Sequence, residues 1–209
     1  MQNLNDYILS HLEPEPEYLQ ALARKTHVRL VNPRMVSGHL QGRFLKMLTR
    51  MINPKNALEI GSFTGYSALC IAEGLAENAH LHTIEIDDEL KDFIHENFKN
   101  SPFEQKITLH IGNALKIVET LPEIFDLVFI DADKRQYWEY FEAVLPKVRK
   151  GGFIIVDNTL WNGKILQPVQ HSDRHTQSIL DFNNLISNDK RIEQILVPIR
   201  DGLTLIMKK

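Results

Sequence analysis

From Ala57 onward, short continuous apolar runs alternate with amphipathic stretches, and this alternation constrains the fold more than any other feature of the chain. The runs are Ala57–Ile60, Leu81–Ile86, Ile107–Ile111, Phe125–Ile130 and Phe153–Val156. Between them, helical spacing covers Tyr66–Leu75, Leu90–Phe98, Asn113–Leu121 and Tyr137–Val148. A strand that is apolar on both faces has to be buried on both, so the pattern predicts a parallel sheet with helices on either side. After Val156 a polar loop runs from Gln167 to His175, followed by a helix around Gln177–Ile186. Two last strands, Ile192–Ile199 and Leu203–Met207, flank Arg200-Asp201-Gly202, a tight-turn signal, so the sheet is predicted to finish antiparallel.

The first 54 residues read differently, as helices. Glu13-Pro14-Glu15-Pro16 separates two of them. A third follows Ser37, carries Phe44, Leu45, Leu48, Met51 and Ile52 at helical spacing, and stops at Asn53-Pro54. The expectation is one α/β domain over residues 1–209, with a seven-stranded, mostly parallel sheet, an antiparallel C-terminal hairpin and N-terminal helices over residues 1–54. A length of 209 residues suits a single domain of that kind. One cysteine, Cys70, rules out an internal disulfide framework and a multi-cysteine zinc site. The net charge of −3 gives no strongly basic face of the sort an obligate nucleic-acid binder presents. No apolar run is long enough for a membrane span, and Met1 to Asp6 lack the basic-then-apolar pattern of a secretory leader. A cytoplasmic protein with no membrane partner is expected.

In a doubly wound sheet, ligands bind outside the carboxyl ends of the strands. Those ends are acidic here. The first strand carries Glu59 and opens into Gly61-Ser62-Phe63-Thr64-Gly65, the second ends in Glu85, the fourth in Asp131, and the fifth in Asp157-Asn158. Any one of these acids could simply cap a helix. Four on one rim repel one another unless something positive binds among them. The glycine spacing is not G-x-G-x-x-G, so the dinucleotide fingerprint is missing. Glu85, 24 residues beyond Gly61, stands where an acid would hold ribose hydroxyls. A nucleoside that carries a positive charge and no pyrophosphate matches S-adenosylmethionine better than NAD. Asp131 and Asp157-Asn158 supply two carboxylates and an amide, hard oxygen donors suited to Mg²⁺, Ca²⁺ or Mn²⁺. Lys134, three residues past Asp131, would sit beside such a cation, which together with burial would lower its pKa and let it act as a base.

These residues, with Met35-Val36-Ser37, Gly42 and Phe44-Leu45 ahead of them and Thr159-Leu160-Trp161-Asn162-Gly163 behind, resemble the cation-dependent O-methyltransferases of the caffeoyl-CoA type, more distantly related to catechol O-methyltransferase. The segments Glu59–Ser67 and Phe129–Lys134 carry the rest of the likeness, which runs from about Met35 to the C-terminus. The resemblance implies a Rossmann-like class I methyltransferase fold. It also implies that Ser37, Glu59, Gly61, Ser62, Ser67, Glu85, Ala114 and Asp131 line an S-adenosylmethionine site. By the same likeness Asp131, Asp157 and Asn158 hold the cation, Lys134 is the general base and Trp161 stands by the acceptor. The expected reaction is methylation of a vicinal-dihydroxy, catechol-type small molecule by a homodimeric enzyme. Relatives that methylate a hydroxylated uridine in tRNA make tRNA the alternative acceptor, with Lys164, Arg174 and Arg191 as a possible phosphate-contacting patch.

Departures and bland readings stand beside this. The stretch after the serine, Gly38-His39-Leu40-Gln41, lacks the family's proline and acid, and Gln170 to His175 match nothing that recognises coenzyme A. His171 and His175 are spaced i, i+4, which would suit a metal only on a helix; in a polar loop they read as solvated. Cys70, Phe44 and Leu45 read as core. The N-terminal helices either cover the sheet or supply a dimer interface.

Overall fold

The computed structural model describes residues 4–209. Met1, Gln2 and Asn3, part of the stretch expected to carry no secretory leader, lie outside the described residues. Three helices come first: α1 (Leu4–Ser10), α2 (Glu17–Arg29) and α3 (Gly38–Ile52). Strands and helices then alternate as β1 (Asn56–Ile60), α4 (Tyr66–Gly74), β2 (His80–Glu85), α5 (Lys91–Lys99), β3 (Ile107–Ile111), α6 (Ala114–Thr120), β4 (Phe125–Ile130), α7 (Tyr137–Val144) and β5 (Val148–Val156). The chain closes with α8 (Arg174–Ser187), β6 (Ile192–Val197) and β7 (Leu203–Lys208).

The seven strands form one sheet in the order β3-β2-β1-β4-β5-β7-β6. The pairs from β3 through β5 are parallel, while β7 runs antiparallel to both β5 and β6. Alternate residues of each strand serve opposite faces. On β4, Val128 and Ile130 join Val118, Phe141 and Phe182 of α6, α7 and α8. Leu127 and Phe129 face Leu22, Leu45 and Leu69 of α2, α3 and α4. The apolar runs are continuous because both faces are covered. Among the described residues, no helix is long and apolar enough to cross a membrane.

The N-terminal helices are fastened to this sheet by ions as well as by apolar packing. Arg43 Nη2 and Lys46 Nζ each lie 2.6 Å from a carboxylate oxygen of Glu73 on α4, and the Tyr18 hydroxyl donates to Glu73 at 3.1 Å. Burial alone would raise the Glu73 carboxyl, but the hydrogen bonds from Arg43 and Lys46 pull it down to about 2.

Three boundaries differ from the sequence reading by three residues or more. The helix expected over Tyr137–Val148 ends at Val144, and Leu145–Lys147 form a 3₁₀ turn, because Pro146 lacks the N–H that another turn needs. Strand β5 starts at Val148 rather than Phe153, since Val148 pairs with Phe125 before Gly151-Gly152. Helix α8 starts at Arg174, where the side chain of Asp173 accepts from Thr176 N at 3.1 Å and caps it.

Candidate active site

The strand order reverses between β1 and β4, so their carboxyl ends diverge and open a crevice. Gly61 makes the approach between them feasible. Its φ is +98°, and a Cβ there would fall 2.0 Å from the backbone oxygen of Asp131. The glycine turn is tied to β2 by Gly61 N and Ser62 N, which donate to Ile84 O at 2.9 and 3.1 Å. It is tied again by Phe63 N, which donates to Glu85 Oε2 at 2.6 Å. Asp87 N donates to Glu85 Oε1 at 2.9 Å, so backbone donors hold both oxygens of Glu85. Burial raises the Glu85 carboxyl, and these backbone donors oppose it.

A cavity of about 1050 Å³ occupies the crevice. Ser37, Gly61, Ser62, Ser67, Glu85, Ala114 and Asp131 all line it. Lys134, Asp157, Asn158 and Trp161 line it as well. The stretch from Leu30 to Ser37, Pro33 apart, lines part of it.

Glu59 differs from the others. It does not line the cavity but lies fully buried behind its wall, because β1 directs it with Ala57 toward the α4 face. Thr83 Oγ1 donates to its Oε2 at 2.5 Å, and its Oε1 has no partner. Burial pushes this carboxyl up to about 7 against the opposing pull of the nearby Ser67 and Thr83 hydroxyls.

At the other end of the cavity, Lys134 Nζ donates to Asp131 Oδ1 at 2.7 Å and lies 5.2 Å above the Tyr137 ring. Asp157 is almost wholly buried; Asn158 N donates to its Oδ1 and Gln41 Nε2 to its Oδ2, both at 2.6 Å. Burial first and the neighbouring Asp131 second raise the Asp157 carboxyl well above the usual range. A buried carboxylate whose charge a second carboxylate disfavours, with an amide beside them, forms a donor set that a hard cation would relieve. Among the described residues, no three His, Cys, Asp or Glu side chains gather as a metal cluster, so the Asn158 amide is needed as third donor. Ser62 Oγ, Thr64 Oγ1 and Trp161 Nε1 are buried without partners, and all three residues line the cavity. Unsatisfied polar atoms on residues that line one space are what a polar ligand would satisfy.

The histidine pair of the loop is not brought together. His171 precedes α8 and His175 is its second residue, so no i, i+4 helical face forms. His175 instead stacks on Trp161, 6.3 Å between ring centroids, with its Nε2 4.0 Å from Asp133 Oδ1. The basic patch is also divided. Arg191 is bound to Asp189 and Glu142, and Lys164 faces Asp173 at 3.9 Å. Arg174 lines a second cavity of about 490 Å³ with Arg135 and His171. Gln41, Arg200 and Asp201, which reach the Asp157–Asn158 corner, carried no functional signal in the sequence.

The sequence profile of the O-methyltransferase family matches residues 9–209. The chain is 34% identical over 215 aligned positions to caffeoyl-CoA O-methyltransferase 2 of Populus trichocarpa, covering 97% of this chain and 87% of that protein. Among solved structures, the SAH-bound methyltransferase PaMTH1 of Podospora anserina superposes with a TM-score of 0.91 at 29% identity, covering 99% of this chain and 94% of that one. An O-methyltransferase from Bacillus cereus, solved in complex with SAH, gives a TM-score of 0.91 at 27% identity over 99% and 97% of the two chains.

Proposed function

Given that the chain belongs to the O-methyltransferase family, we propose that it moves the methyl group of S-adenosylmethionine to one oxygen of a catechol-type small molecule, with a divalent cation bound. One observation supports this above the rest: Lys134, paired with Asp131, shares a cavity with Asp157, Asn158, Glu85 and the glycine turn. A cofactor site, a hard-cation site and a base therefore open on the same space.

Ser37, Gly61, Ser62, Ser67, Ala114 and the carboxylate of Glu85 hold the cofactor, with Glu85 accepting from the ribose hydroxyls. Glu59 supports the turn from behind, through α4 and Thr83. Asp131, Asp157 and Asn158 hold the cation, which suits Mg²⁺ best, with Mn²⁺ or Ca²⁺ as alternatives. When bound, it would acidify a coordinated hydroxyl and fix both acceptor oxygens in place. Lys134 Nζ takes the hydroxyl proton. The oxygen then attacks the sulfonium methyl carbon, an O–C bond forms as the C–S bond breaks, and the thioether leaves with the electron pair. Trp161 supplies a flat apolar wall for the acceptor ring. The rest of the rate comes from holding two reactants in attack geometry.

Labelled S-adenosylmethionine, Mg²⁺, a panel of catechols with their monohydroxy analogues, and bulk tRNA lacking the hydroxyuridine modification form the direct test. Transfer to catechols alone supports the reading. Transfer to tRNA alone would move the acceptor to nucleic acid, and transfer to neither, with no binding of cofactor, would end it.

A further inference from the structure

The corner of the cavity that holds Asp157 and Asn158 is built from three distant parts of the chain. Gln41 Nε2, on α3, donates to Asp157 Oδ2 at 2.6 Å across 116 residues of sequence. Arg200 Nη1, in the connection from β6 to β7, donates to Gln41 Oε1 at 3.3 Å. Next to it, Asp201 Oδ2 accepts from Asn158 Nδ2 at 3.5 Å.

Resting on the cation site proposed above, we infer that Gln41 and the Arg200-Asp201 turn are positioning residues that orient Asp157 and Asn158 for the cation. Which groups can donate decides the orientation of both amides. A carboxamide can be turned end for end with little change in shape, so something has to choose its direction. A guanidinium only donates, which fixes Gln41 Oε1 toward Arg200 and therefore Nε2 toward Asp157. A carboxylate only accepts, which fixes Asn158 Nδ2 toward Asp201 and leaves the amide oxygen free as a donor to a cation. One turn thus sets two amides in opposite senses, using a cation for one and an anion for the other.

The backbone supports the same arrangement. Arg200 and Asn158 both adopt left-handed conformations, with φ of 51° and 56°, which non-glycine residues seldom take without a constraint. Arg200 is further held by Val36 O at 3.4 Å, and Leu160 N donates to Asp201 O at 2.7 Å. Gln41 is itself buried, so its amide has no water to substitute for either partner. With Gln41 donating to one oxygen of Asp157 and Asn158 N–H to the other, the carboxylate cannot rotate, and its remaining lone pairs stay aimed. Partners of this kind commonly contribute 10–100-fold to metal affinity.

Mn²⁺ binding to the full chain, measured by calorimetry with no acceptor present, tests this without a turnover readout. Gln41→Leu should weaken Mn²⁺ by about 10–100-fold while S-adenosylhomocysteine affinity stays within about twofold. Arg200→Met and Asp201→Ala, both in a surface turn, should each weaken Mn²⁺ too, and they keep the test sound if Gln41→Leu does not fold. Combining Gln41→Leu with Arg200→Met should add little beyond Gln41→Leu, because Arg200 acts through Gln41. Wild-type Mn²⁺ affinity in all three single variants would overturn the positioning role and leave the cation site standing. No Mn²⁺ uptake by the wild-type chain would overturn both.

Discussion

Lys134 Nζ and Asp131 Oδ1 lie 2.7 Å apart, joined as an ion pair three residues apart in sequence at the end of β4. The proposed base and a proposed cation donor therefore begin as partners. A charged amine must first give up a proton before it can accept one, and a cation that drew on Asp131 would loosen the pair that favours the charged form.

Removal of the amine should cost rate rather than cofactor affinity. Lys134→Ala is expected to lower methyl transfer by about 10²–10⁴, the usual worth of a positioned base. Lys134→Arg should not restore it, because a guanidinium keeps its proton near neutral pH. Single-turnover rates with labelled S-adenosylmethionine give the measurement, and a variant as fast as wild type would remove Lys134 from the chemistry.

Glu85→Ala should weaken S-adenosylhomocysteine binding by about 1–3 kcal/mol, the cost of leaving hydroxyls without a charged acceptor. Part of that loss comes from the turn itself, because the Phe63 N–H loses its 2.6 Å acceptor. Calorimetry should show heat with S-adenosylhomocysteine and none with NADH.

Gly61→Ala meets two obstacles together. The positive φ alone costs about 1–3 kcal/mol for a residue with a Cβ. The new methyl also has to displace the Asp131 backbone oxygen, which would stand 2.0 Å away. Lower stability in urea, together with loss of cofactor binding, is the expected result. Unchanged cofactor affinity would mean that the close approach of β1 and β4 does not shape the site.

A buried and a half-buried glutamate should give the ligand-free chain opposite pH slopes. Glu59 has its carboxyl raised by folding from 4.5 to about 7, so the stability it contributes below pH 4.5 is lost as pH rises through about 7. Glu59→Gln should flatten that descent, by on the order of 3 kcal/mol across the interval. Glu73 has its carboxyl depressed to about 2, so its contribution is present above pH 4.5 and fades as pH falls toward 2. Urea midpoints from pH 3 to 8 for wild type, Glu59→Gln and Glu73→Gln should separate the two, and parallel curves for all three would contradict both assignments.

The sheet was legible because apolar runs such as Phe125–Ile130 are buried on both faces, and that burial writes a continuous pattern. The acids on the rim were legible because strand ends place them together whatever the helices do. Boundaries set by single contacts were less so. The start of β5 depends on Val148 meeting Phe125, and the start of α8 on the Asp173 cap within a polar run. Glu59 belongs to the motif by sequence, yet strand alternation turns it behind the wall. Gln41 stood out only as part of a departure from the family's pattern, because a glutamine in an amphipathic helix has no signature and its partner Asp157 lies 116 residues away. Arg200-Asp201-Gly202 read only as a turn, although its side chains reach into the site.

The central claim is that two neighbouring acceptor oxygens and a cation held by Asp131, Asp157 and Asn158 are both required. Its most direct measurement is labelled methyl transfer to matched catechol and phenol acceptors, before and after EDTA and after Mg²⁺ or Mn²⁺ is returned. Transfer to the catechol alone, abolished by EDTA and restored by the cation, is the result expected, because a single oxygen cannot chelate. Undiminished turnover after thorough chelation, or equal rates on catechol and phenol, would contradict it.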